Sequence, residues 1–308
     1  MTTNATTGQT ARAITERLLE ERRVAVEHGN HVWTCCIGGG AERERTPLLI
    51  LHGGPGLPHD YLRNLDALAS ERQRVIFYDQ LGCGRSDQPD EPERWQLPRF
   101  VAEIDLVRAA LGLERVVILG QSWGGMLAIE YALTRPAGLD GLVLANSTAS
   151  APLWGEETHR LRTQLDADVC AVLDQHEAAG STHHPDYQKA VLAFYRRHLL
   201  RLEPWPAVIQ RALMEIGQPY TVMWGANEFY ITGNLKDWDR TPMLQEIQCP
   251  TLLISGEFDE STPRINQAML DKLPHAEWQL LKGCSHLAHI EAPTAFQQAV
   301  ITFLDQLA

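Results

Sequence analysis

Between Val116 and Leu133 the chain passes from four apolar β-formers, Val116-Val117-Ile118-Leu119, through Gly120-Gln121-Ser122-Trp123-Gly124 into a helix-forming stretch that starts near Met126. No other segment restricts the fold so far. A strand that becomes a helix within five residues needs small side chains around the turn, and Gly120, Gly124 and Gly125 supply them. A serine at the apex projects its hydroxyl above the sheet, with a helix N-terminus behind it to favour developing negative charge. The pentapeptide alone is compatible with an ordinary Gly-Ser turn. The strand before it and the helix after it make Ser122 the candidate nucleophile.

Other short apolar runs repeat the strand signal: Leu48 to Leu51, Val75 to Tyr78, Leu142 to Leu144 and Thr251 to Ile254. Amphipathic stretches lie between them, such as Phe100 to Leu111 with Val101, Ile104, Val107 and Leu111 on one side. Arg23 to Glu27 and His31 to Ile37 flank His28-Gly29-Asn30 as an opening hairpin. The alternation predicts an α/β fold, a mostly parallel central sheet with helices on both faces.

One connection breaks the rhythm. From the Leu142 run to the Thr251 run is about a hundred residues, too long for an ordinary loop. It carries helical stripes (Leu161, Leu165, Val169 and Val172; then Val191, Phe194, Tyr195 and Leu199) and concentrates tryptophan, with Trp154, Trp205, Trp224 and Trp238. It reads as an inserted helical cap, residues 149–240, over a core made of residues 1–148 and 241–308.

A nucleophilic serine needs a base and an acid that orients the base, in the order Ser…Asp…His for this architecture. Asp259 follows the Thr251 strand in Gly256-Glu257-Phe258-Asp259-Glu260, and His286 follows the strand-like Trp278 to Leu281. Both fall where loops collect at the carboxyl ends of strands. Glu257 and Glu260 compete for the acid role, and His289 for the base. His52-Gly53-Gly54-Pro55-Gly56 closes the Leu48 strand, where a glycine-rich loop can offer an N–H to an oxyanion; the donors would be Gly54 and Trp123. The loop lacks the Lys-Ser/Thr ending of a phosphate cradle.

Composition narrows the partners. In 308 residues, 27 Lys and Arg stand against 39 Asp and Glu, a formal charge of −12. That balance gives no footprint for nucleic acid or an anionic membrane surface. No apolar run is long enough to span a bilayer, and Met1 to Thr10 is polar, without a signal-peptide pattern. Six cysteines are scattered without a C-x-x-C pair, which points to free thiols in a reducing, cytoplasmic setting and to no metal site. The expected partner is a small-molecule substrate.

With these elements placed, the sequence resembles the α/β-hydrolase fold, and within it the prolyl aminopeptidase (proline iminopeptidase) and L-amino-acid amidase group. The resemblance rests on His52-Gly53-Gly54-Pro55-Gly56, on Tyr78-Asp79-Gln80-Leu81-Gly82, on Gly120 to Gly125 and on the Gly256 to Pro263 loop, and runs from about residue 25 to the end. Within the cap, Asn227 to Gly233 followed by Lys236-Asp237-Trp238 is similar to a segment of the same group. The resemblance implies a serine hydrolase that cleaves the amide after a free N-terminal residue, proline or another small one, through an acyl-enzyme and with no cofactor. It also implies that Glu228 and Glu260 hold the substrate's amino group. A carboxylesterase or lactonase on the same fold is the main alternative, since neutral esters would need neither glutamate. A non-catalytic receptor is more remote, because candidates for all three catalytic side chains are present.

Overall fold

The computed structural model describes residues 19–307; the N-terminal stretch read above for a signal pattern lies outside them. In chain order, β1 (Leu19–Ala25), β2 (His31–Ile37), β3 (Leu48–Leu51) and β4 (Val75–Asp79) lead to α1 (Leu97–Ala110), β5 (Val116–Gln121), α2 (Trp123–Leu133) and β6 (Leu139–Ala145). Then come α3 (Ala151–Arg162), α4 (Ala167–Ala178), α5 (Pro185–His198), α6 (Ala207–Met214), α7 (Gln218–Met223) and a two-stranded hairpin, β7 (Gly225–Asn227) with β8 (Tyr230–Ile231). The chain closes with β9 (Thr251–Gly256), α8 (Pro263–Leu270), β10 (Ala276–Leu281), α9 (Ala288–Glu291) and α10 (Pro293–Gln306).

Eight strands form one sheet in the order β1-β2-β4-β3-β5-β6-β9-β10. The β1–β2 and β2–β4 pairs are antiparallel, and every later pair is parallel. The central strands are buried on both sides, which is why they read as unbroken apolar runs. Their side chains still alternate between two cores. Leu49, Leu51, Ile118 and Leu142 pack with α1 and α2, while Leu48, Ile50, Val117 and Val143 pack toward α10.

The segment between β6 and β9 has a small core of its own, built on Leu173, Tyr187, Phe194 and Phe229. Its ends meet: Ala151 N–H donates to the Trp238 carbonyl (2.8 Å) and Arg240 N–H to the Ala149 carbonyl (2.7 Å). The first predicted stripe is not one helix. Chain turns at residues 163–166 separate α3 from α4, so Leu161 and Val169 belong to different helices whose apolar sides face a shared core. Among the described residues, no helix is long and apolar enough to cross a membrane.

Candidate active site

Ser122 stands at the junction of β5 and α2 with φ +55° and ψ −122°, a conformation that L-residues rarely hold and that functional turns retain. The crowding that demands glycine here is severe. A Cβ on Gly120 would lie 2.2 Å from the Gly124 carbonyl oxygen, and one on Gly124 would lie 2.1 Å from the Leu51 carbonyl oxygen. Ser122 N–H is tied to the Ala145 carbonyl (2.9 Å), and its own carbonyl accepts the Gly125 N–H (2.8 Å) and the Ser147 hydroxyl (2.7 Å).

Asp259 and His286 arrive from the loops after β9 and β10. His286 Nδ1–H donates to Asp259 Oδ1 (2.8 Å), which leaves Nε2 as the free imidazole nitrogen. Asn146 Nδ2 (2.6 Å) and the N–H groups of Ser261 (2.8 Å) and Gly256 (3.3 Å) also donate to the Asp259 carboxylate. Ser122 and His286 line one cavity. Of the three competitors, Glu260 lies beside His286 and the other two are placed elsewhere. Glu257 is exposed and accepts the Gly283 N–H (2.9 Å). His289 is buried and bonded to the Tyr61 carbonyl (3.1 Å), and burial pushes its pKa down to about 4.

Gly54 and Trp123 both border the space beside Ser122, and among the described residues neither N–H meets an acceptor. The Gly54 loop is held from beneath. Burial pushes His52 down to about 4, so the neutral ring donates from Nδ1 to the Gly53 carbonyl (3.0 Å) and accepts the Gln80 N–H at Nε2 (2.9 Å). His52, Asp79 and Cys83 bring possible ligand atoms within 4.8 Å of one another. That His52 nitrogen is already occupied, and Asp79 accepts from His59 (2.8 Å) and from the Arg85 N–H (2.9 Å), so these groups satisfy each other and the backbone.

Two further carboxyls lie close by, Glu228 on the cavity wall and Glu260 against His286. Glu228 sits at the tip of the β7–β8 hairpin, where Asn227 Oδ1 accepts the N–H groups of Phe229 and Tyr230 (3.0 Å each) and Trp154 Nε1–H donates to the Glu228 carbonyl (2.8 Å). Its Oε1 accepts the Tyr220 hydroxyl (2.7 Å). Glu260 is fully buried, lies 3.7 Å from His286 Nε2 through Oε1, and among the described residues has no hydrogen-bond partner on either carboxylate oxygen. Burial raises both carboxyl pKa values, with the neighbouring Glu228 and Asp259 charges pushing Glu260 further, well above the usual range.

Tyr61 was not visible as a functional residue in the sequence. Its hydroxyl accepts the Gly53 N–H (2.7 Å) and donates to Gln121 Oε1 (2.5 Å), joining the glycine loop to the residue before the serine. Burial raises this phenol's pKa, which keeps it protonated and able to donate. Of the aromatics between β6 and β9, Trp224 borders the small space beside Ser122, whereas Phe229 packs on Phe194 at 4.8 Å between ring centroids.

The pattern of the α/β hydrolase fold family matches residues 46–293. The proline iminopeptidase of Levilactobacillus brevis is 41% identical over 84% of this chain and 88% of its own length. The crystal structure of VinJ is 38% identical with a TM-score of 0.89, covering 94% of this chain and 99% of its own. That of the proline iminopeptidase from Mycobacterium smegmatis is 40% identical with a TM-score of 0.85, covering 94% and 98%. A serine on a strained strand-to-helix turn, on this sheet and with these relatives, has one family context: the chain belongs to the α/β-hydrolase family of enzymes, alongside the proline iminopeptidases.

Proposed function

We propose that this enzyme hydrolyses the amide bond after a free N-terminal proline or other small residue, as a prolyl aminopeptidase or L-amino-acid amidase. The observation that carries the reading is Glu260, a buried carboxyl whose two oxygens have no hydrogen-bond partner among the described residues, beside the candidate base. A buried carboxylate without a partner is costly. A protonated α-amine supplies the missing charge and donors, and Glu228 provides the second acceptor. A neutral ester leaves both oxygens of Glu260 unsatisfied.

In this mechanism Ser122 Oγ attacks the acyl carbonyl while His286 Nε2 takes the hydroxyl proton. Asp259 fixes the imidazole tautomer and stabilises its charged form. The N–H groups of Gly54 and Trp123 receive the oxyanion. His286 then protonates the leaving nitrogen, and water, deprotonated by the same imidazole, hydrolyses the ester of Ser122. Residues 149–240 act as a cap on the core formed by 1–148 and 241–308.

Two cavities share Gly54, Ser122 and Glu228, and they differ in scale, at about 10 Å³ and about 300 Å³. Trp154, Trp224 and Met126 wall the small one, which has room for about one water-sized group. His286 lines the large one, and the proton for the leaving nitrogen comes from His286, so the leaving group exits on that side. Leu57, Leu192, Ile209 and Leu213 make that wall mainly apolar.

The test is a substrate panel of prolinamide, alaninamide, phenylalaninamide, prolyl anilide and Pro-X dipeptides, each beside its N-acetylated form. Hydrolysis of free-amine prolyl and alanyl substrates above all others is expected. Brisk turnover of the blocked forms with none of the free ones overturns the reading. Tyr61→Phe removes the acceptor of the Gly53 N–H, and kcat is expected to fall roughly tenfold with KM little changed, as follows when a buried donor is left unpaired. Steady-state kinetics on the best panel substrate reads this directly.

A further inference from the structure

The loops that carry Asp259 and His286 are both held by the end of one cap helix, α5. His286 N–H donates to the His198 carbonyl and Leu287 N–H to the Leu199 carbonyl, each at 3.0 Å. The His198 ring turns the other way: Nδ1–H donates to the Phe258 carbonyl at 2.8 Å, one residue before Asp259. A single residue thus bonds the base loop through its backbone and the acid loop through its side chain. The ring is buried, packs on Phe194 at 4.9 Å between centroids, and lies where Arg201 covers the Phe258 ring at 3.9 Å. Burial lowers the His198 pKa, in keeping with a neutral ring whose one proton is spent on the Phe258 carbonyl.

The other partners of Asp259 do a different job. Asn146 bonds both the Asp259 carboxylate and the Ser285 carbonyl (3.2 Å), the Ser261 N–H bonds the carboxylate, and the Phe258 N–H reaches the Cys284 carbonyl (2.8 Å); these bonds join the two loops to each other and to the sheet and leave their height relative to α5 unset. His198 reaches across from the cap to the main chain of that loop. A displacement of about 1 Å in a catalytic group costs on the order of a hundredfold in rate, so a contact that sets loop height has leverage well beyond its own strength.

We propose that His198 is a positioning residue, which keeps the Asp259 and His286 loops in register and makes the triad complete only while the cap end of α5 is seated. The proposal rests on the reading of Ser122, His286 and Asp259 as that triad. It needs the Nδ1–H donor specifically, and asparagine carries an N–H at the same distance along the side chain, whereas glutamine carries it one bond further out.

The experiment compares His198→Leu, His198→Asn and His198→Gln with the unaltered enzyme and with Ser122→Ala. The readouts are kcat and KM on prolinamide and the rate of labelling by a fluorophosphonate, which reports serine activation without an amine. His198→Leu and His198→Gln are expected to lower kcat and labelling roughly 10- to 100-fold with KM held within about twofold, and His198→Asn to recover most of the loss. Wild-type labelling in His198→Leu, a loss confined to KM, or equal behaviour of the Asn and Gln variants overturns the proposal. Should His198→Leu fail to fold, the Asn and Gln pair decides. Labelling that persists in Ser122→Ala overturns the triad reading itself, a result distinct from failure of the clamp.

Discussion

Ser122→Ala is expected to lower kcat/KM on prolinamide by roughly 10⁴-fold or more, because removal of a nucleophile leaves only the oxyanion donors and binding. The thermal unfolding midpoint should stay where it is. The Cβ that meets the strained backbone at φ +55° remains, and the Ser147 and Gly125 bonds go to the Ser122 carbonyl, which the substitution keeps. Rate loss with unchanged stability separates chemistry from packing. Retained turnover in this variant would mean that another group attacks the carbonyl, and the mechanism above would have to be abandoned.

The second large effect concerns the paired glutamates. Glu228→Gln and Glu260→Gln are each expected to lower kcat/KM on free-amine substrates roughly 10- to 100-fold, the range for losing a hydrogen bond to a charged group. Turnover of a neutral ester such as p-nitrophenyl acetate should change by less than about threefold, since no cation is bound there. Equal indifference on both substrates would remove the amine-anchor role and leave the hydrolase intact. Stability should move the opposite way. The Glu260 carboxyl is raised in the folded protein, so below about pH 4.5 it is neutral in folded and unfolded chains alike and costs nothing. As pH rises the unfolded chain ionises first, and folding loses stability until pH passes the raised folded value. Glu260→Gln should therefore melt higher than the unaltered enzyme at pH 7 to 8, and the gap should close toward pH 4. Differential scanning at the two pH values measures it.

The sheet and the strand-to-helix turn that carries Ser122 were readable because geometry there dictates residue type. Strands buried on both faces must be apolar throughout, and no side chain larger than hydrogen fits at Gly120 or Gly124. Other features had no local signature. Glu257, Asp259 and Glu260 sit within four positions, and only the loop's path separates an exposed residue, an imidazole partner and a buried carboxyl. Tyr61 and His198 act on partners far away in sequence, Gln121 for one and Phe258 for the other, so no spacing could have pointed to them. The segment between β6 and β9 misled in one respect. Leu161, Leu165, Val169 and Val172 keep a helical period across a turn, because α3 and α4 both point apolar residues at one small core.

The meeting of the inserted segment's two ends bears on how the chain assembles. Strands β6 and β9 are neighbours in the sheet although about a hundred residues separate them, and such a pair has a closure entropy that grows with the logarithm of loop length. Residues 149–151 and 238–240 bond to each other at the foot of the insertion, and the insertion has a core of its own. Once those ends have joined, β6 and β9 are linked by only a short effective tether. The long excursion then costs the sheet little more than an ordinary connection would, and variation within the helices can proceed without disturbing strand order.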